Sequence, residues 1–223
     1  MIKLNKNKLI PIIPIVILVL LVFVMQTTKE PTSFEYKKVI TTLFWVGEES
    51  GPDNANISNY GSWWQSDWQS DFGGIDDPDD RCGFQPCDFT PKENPFYFAL
   101  PYSDTDDDGK RKDNARDVPW FNEYKDRESI VKNRWVEIVY NKKICYAQWE
   151  DVGPLETDDF DYVFSDGKSI NTFGVNAGID ISPATWTCLG LEKNDEVEWR
   201  FISDDEVPYG PWKEIVTTGD VKH

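Results

Sequence analysis

The residues best placed to do chemistry are two aspartates far apart in the chain. Asp151 lies in Gln148-Trp149-Glu150-Asp151-Val152-Gly153-Pro154, and Asp180 lies in Gly178-Ile179-Asp180-Ile181-Ser182-Pro183-Ala184, with Leu189-Gly190 following. Each puts a carboxylate at the end of an apolar run beside turn residues. Together they form a candidate acid pair for proton transfer, with Asp180 as donor and Asp151 as its partner or as a substrate-holding group. Each also has a plainer role open to it. An Asp before Gly-Pro forms turns, and an Asp two residues before a capping Ser can satisfy backbone amides.

A second chemical signal is Asp104-Thr105-Asp106-Asp107-Asp108-Gly109. Alternate aspartates followed by Gly open an EF-hand-type loop, so oxygens of Asp104, Asp106 and Asp108 could converge on Ca2+. The twelfth position is Ala115, which lacks the closing bidentate Glu, although Asp113 or Asp117 could substitute. The competing reading is a solvated acidic loop balanced by Lys110, Arg111 and Lys112. The run Asp76, Asp77, Asp79 and Asp80 lacks this spacing and reads as solvated loop. No cofactor is otherwise required. The only histidine is His223, which excludes mechanisms built on His, Ser-His or Cys-His and most catalytic zinc sites.

The first 29 residues stand apart from the fold. Lys3, Lys6 and Lys8 precede an uncharged apolar run from Leu9 to Met25, the pattern of an export signal or an N-terminal membrane anchor. No small-x-small cleavage site follows it, so an uncleaved anchor with the N-terminus inside is expected, secretion being the alternative. No cysteine lies near residue 25, which excludes a lipid-modified N-terminus. Setting aside Lys3, Lys6, Lys8 and Lys29, with no acid among them, takes the formal charge from -17 to -21 for residues 30–223. A charge of that sign disfavours nucleic acid and anionic lipid headgroups and suits neutral or cationic polymers. The ten tryptophans argue for a packed single domain in this part.

Cys82, Cys87, Cys145 and Cys188 are an even set in an exported chain, consistent with two disulfides. Of three connectivities, Cys82–Cys87 and Cys145–Cys188 are favoured, because the first brackets a Gly/Pro-containing loop and the second ties a strand to a helix. A four-cysteine zinc site lacks any Cys-x-x-Cys spacing.

Most regular structure reads as strands: 39–46, 96–100, a hairpin of 134–140 and 143–149 turning at Asn141-Lys142, and 196–202 with Val197, Trp199 and Phe201 on one face. A helix is expected over 182–189, capped by Ser182, with Pro183 at its first position and Gly190 as its stop. A second is a candidate between 56 and 71. Segments 50–95 and 103–118 read as long loops.

The order of strand, Asp-x-Gly-Pro, strand, Ile-Asp-Ile-Ser, short helix, Leu-Gly and strand resembles the double-psi β-barrel of the rare lipoprotein A and expansin group. The match runs over residues 134–203, with a weaker extension to Phe98-Ala99-Leu100-Pro101. The resemblance implies a mainly β fold: a six-stranded double-psi barrel with long decorating loops and one or two short helices, behind the N-terminal segment. It also implies a cell-surface or secreted domain that binds cell-wall polysaccharide or cleaves its strands, with Asp180 as general acid. The alternatives are non-catalytic wall loosening or carbohydrate binding, and a calcium-stabilised structural ectodomain. There are departures. Phe98-Ala99 and Gly178-Ile179 stand where relatives carry histidines, and Val152 replaces the Arg of the Asp-Arg-Gly-Pro turn. Trp63, Trp64 and Trp68 sit among Ser, Gln and Asp, so their rings are candidates for stacking on sugars, or else they pack a loop onto the barrel. Trp149 is counted with them as a candidate sugar contact, although with Trp135 and Trp199 it falls in a strand pattern typical of core or barrel wall.

Overall fold

The computed structural model describes residues 34–121 and 128–219. The apolar run 9–25 and His223 lie outside them, and among the described residues no helix is long and apolar enough to cross a membrane.

The protein is mainly β. Six strands close into a barrel: β1 (Lys37–Leu43), β4 (Tyr97–Leu100), β5 (Trp135–Tyr140), β6 (Lys143–Val152), β7 (Ile179–Ile181) and β8 (Asp195–Ile202). Their order around the wall is β1-β7-β4-β6-β5-β8, with β8 returning to β1. The pairs β1·β7 and β4·β6 are parallel and the other four antiparallel. Closure leaves no strand edge to pair with another chain. The two short strands β2 (Arg81–Cys82) and β3 (Gln85–Pro86) form a separate hairpin, closed by the Cys82–Cys87 disulfide.

Alternation drives the wall, as the sequence pattern requires. Val197, Trp199 and Phe201 of β8, Val136 and Ile138 of β5, and Cys145, Ala147 and Trp149 of β6 all point into one core. Inside, Phe98, Trp149, Phe201 and Phe164 stack ring on ring at centroid distances of 5.7–6.4 Å. The alternate residues face outward and are covered in turn. Phe44, Val46, Tyr97 and Ala99 meet Trp68 and Phe72 of α1 (Trp68–Phe72), the one helical part of the segment 56–71.

Helix α3 (Pro183–Leu189) forms as the capping signals require: Ser182 Oγ accepts from Thr185 N at 3.2 Å, and Gly190 ends it at φ 70°. The Cys145–Cys188 disulfide ties α3 to β6. Helix α2 (Phe160–Phe164) was not expected, although Asp159, which accepts from Tyr162 N, is a readable N-cap.

The acidic loop departs from the expected calcium site. Asp104 is fully buried and receives Arg111 Nη1, Ser129 Oγ at 2.6 Å and Ile130 N at 2.8 Å. Asp106 Oδ1 accepts from the backbone of Asp108 and Lys110, closing a turn, while Asp108 is exposed. The three carboxylates therefore serve different partners. Among the described residues, no group of three or more His, Cys, Asp or Glu side chains could hold a metal ion. Arg111→Met should cost roughly 3–5 kcal/mol of stability by stranding the buried Asp104 carboxylate. In the same thermal melts, millimolar calcium should leave the parent's midpoint within about 1 °C. A calcium-dependent rise of several degrees would restore the metal reading.

Candidate functional site

Both aspartates of the acid pair lie beside the same residue. Ala99 of β4 is opposite Asp151 on β6 and opposite Asp180 on β7. Residues directly opposite in a ladder face the same way, so Asp151, Ala99 and Asp180 form a row across the outer barrel surface, continued on β1 by Thr42, which is opposite Asp180. Strand spacing puts the two aspartate Cα atoms about 9–10 Å apart. The Ala99 methyl between them is buried and packs in the cluster formed with Trp68 and Phe72 of α1. Gly153 borders the row: a Cβ there would stand 3.5 Å from Asp180 Oδ2 and 3.9 Å from the Ala99 Cβ.

Each carboxyl group has one oxygen held. Asp151 Oδ1 accepts from Trp63 N at 2.7 Å and Val152 N at 2.8 Å. Asp180 Oδ1 receives the Thr42 hydroxyl. Among the described residues neither Oδ2 accepts a hydrogen bond, and neither is an orphaned buried atom. The N-terminus of α3 is spent on Ser182 and does not engage Asp180.

Electrostatics push both groups towards the protonated form. Burial raises Asp180 to about 7, with the negative charges of Asp151 and Glu48 adding to it against the Thr42 hydrogen bond. Burial raises Asp151 to about 7 as well, opposed by its two backbone donors. Glu48 is itself raised by burial, and Asn59 Nδ2 holds its Oε2 at 2.8 Å. Among the described residues no cationic side chain contributes to any of these three shifts. The two carboxyl groups therefore form a largely buried acidic pair that can hold one proton and one negative charge near neutrality, the state a proton donor and an anionic partner require.

No protein-family model matches this chain, and no curated protein does.

Of the four tryptophans expected at the site, three are corrected. Trp64, Trp68 and Trp149 are 0%, 1% and 0% exposed and cannot offer a ring face to a sugar. Trp149 fills the barrel, Trp64 meets it edge-on at 6.3 Å, and Trp68 packs between Phe44 and Tyr97. Only Trp63 is partly exposed, next to Asp151 through its own backbone N–H. Thr42 and Glu48 were missed by the sequence reading. Thr42 is one of two adjacent threonines in a β-branched strand, and only the β1·β7 register reveals which faces Asp180. The cavity between α1 and residues 216–219 includes neither aspartate in its lining.

Proposed function

We propose that this barrel is a glycan-directed domain of the rare lipoprotein A and expansin kind, with Asp180 as the proton donor to a glycosidic oxygen and Asp151 as its anionic partner. The observation carrying the reading is the shared row of Asp151, Ala99 and Asp180, which sets two largely buried acids side by side on one face of the barrel. The closed six-stranded wall with two parallel pairs supports the double-psi assignment. Trp63, partly exposed and bound to Asp151 through its backbone N–H, is the candidate for a sugar contact, and the unneutralised charge suits a neutral or cationic polymer rather than an anionic one. The two disulfides accord with an exported domain. A second reading, glycan binding or wall loosening without turnover, is favoured by Asp151 being 8% exposed and bound to two backbone amides.

Incubating the full chain with denuded peptidoglycan, cellulose, xylan and chitin, and analysing soluble products by mass spectrometry, separates the two. The first reading expects products from at least one polymer, lost in Asp180→Asn and in Asp151→Asn. No products from any of them, with the chain still co-sedimenting with a polymer, selects the second. Neither products nor binding would sink both.

A further inference from the structure

Two acids adjoin in Glu150-Asp151, yet only Asp151 stands opposite Ala99, and the choice is made behind the site. Between β4 and β6 the register breaks: Phe98 is opposite Trp149, and Ala99 is opposite Asp151. Glu150 is the extra residue of a β-bulge. In an uninterrupted ladder Glu150 would face Ala99, and Asp151 would turn into the core beside Leu100. The bulged side chain goes instead to a buried cation. Lys132 Nζ donates to Glu150 Oε2 at 2.7 Å, with the two side chains 2% and 1% exposed. The same ammonium reaches Gly219 O and Asn133 Oδ1, each at 3.3 Å, so it is fixed to the segment before β5 and to the C-terminal strap. The strap is pinned in turn, because Gln148 exchanges hydrogen bonds with Thr217 N and Thr217 O at 2.8 and 3.1 Å. Glu93 and Asp151, also near Glu150, both repel it, and Lys132 is the cation that opposes its burial among the described residues.

We propose that Lys132 is a positioning residue for the acid pair: by holding Glu150 as the bulged residue, it seats Asp151, and not Glu150, beside Ala99 and Asp180. The proposal rests on the acid pair being the working site. A buried ion pair contributes little net stability over an apolar pair of similar size, which fits a role in fixing register better than one in strengthening the fold.

The test reads the Asp151–Asp180 coupling directly. The full chain, labelled with ¹³C at aspartate carboxyl carbons, is titrated by NMR with and without Asp151→Asn. In the parent, Asp151→Asn should lower the Asp180 midpoint by roughly half a pH unit or more, since it removes a neighbouring negative charge. In Lys132→Met the same substitution should leave that midpoint in place. Lys132→Met strands a buried carboxylate and can fail to fold, so Lys132→Met/Glu150→Gln, which removes both charges, is the second background. Coupling should be lost there too. Glu150→Gln alone keeps an acceptor for Lys132 and should retain the coupling. Undiminished coupling in folded Lys132→Met/Glu150→Gln would overturn the proposal, as would its loss in Glu150→Gln. No glycan enters the titration, so its outcome is independent of whether the glycan reading holds.

Discussion

Asp180→Asn is expected to abolish product release and, in the same protein, to raise stability above neutral pH. The loss should be on the order of 10²–10⁴-fold, the usual worth of a positioned proton donor. The gain follows from linkage. Burial lifts the folded-state value of Asp180 from the ordinary aspartate 3.8 to about 7. The folded chain therefore holds a proton that the unfolded chain has released between about pH 4 and 7. Stability from this group is fully present below about pH 4 and is lost as pH rises through about 7. Asn carries no charge to bury, and its side-chain oxygen can still take the Thr42 hydroxyl. Chemical denaturation of parent and variant at pH 4.5 and pH 8 should show the variant's relative stability improving by roughly 1–3 kcal/mol at the higher pH, with Asp151→Asn behaving alike. An equal stability difference at both pH values would mean that Asp180 titrates normally, and the donor role would fall with it. Parent activity should decline as pH rises through about 7, because the donor form is being removed.

That opposition of activity and stability is what a site differs by from a structural aspartate. A turn-forming or capping aspartate is stabilised in its ionised form, and replacing it costs stability at pH 8. The register places Asp180 and Asp151 on either side of Ala99, and Glu48 adds a further negative charge to the shift of Asp180, an arrangement that folding alone does not favour. A chain that buries like charges near one another keeps them at a cost in stability, as sites commonly do.

What was legible in the sequence was whatever one element decides alone. Ser182, Pro183 and Gly190 specify α3 through local capping, and the alternation of Val197, Trp199 and Phe201 specifies the inner face of β8. The Cys82–Cys87 pairing is likewise local to one short hairpin, while Cys145–Cys188 was legible as a strand tied to a helix. Properties that need two elements together were hidden. The Glu150 bulge depends on Lys132, eighteen residues away. The role of Thr42 depends on the register of β1 with β7, a separation of 138 residues. The Asp104 loop has calcium-like spacing, but its fate is set by Arg111 and Ser129, which side-chain type alone does not reveal. The loop tryptophans misled for a related reason. Polar neighbours in sequence suggested exposure, whereas the long segment carrying them folds back to put Trp64 into the barrel core cluster and Trp68 against the outer wall, so local polarity says little about burial there.

Trp149 and Trp63 should separate cleanly when each is replaced by Ala. Trp149 is the hub of the barrel interior: its ring stacks on Phe98 and Phe201 at 5.8 Å each, and its Nε1 donates to Asp151 O at 2.8 Å. Removing it empties the centre of a closed wall that cannot collapse around the void, so Trp149→Ala should cost roughly 3–5 kcal/mol. It should also loosen Asp151 by cutting the bond to its carbonyl. Trp63 holds Asp151 through its backbone N–H, which Ala retains. Trp63→Ala should therefore keep Asp151 in place and cost about 1 kcal/mol of stability, while weakening co-sedimentation with glycan roughly tenfold through the lost stacking face. Urea denaturation and polymer pull-down on the same two variants decide the matter. If Trp63→Ala binds glycan as the parent does, the ring is only a loop anchor, and the aromatic support for a sugar-binding groove disappears.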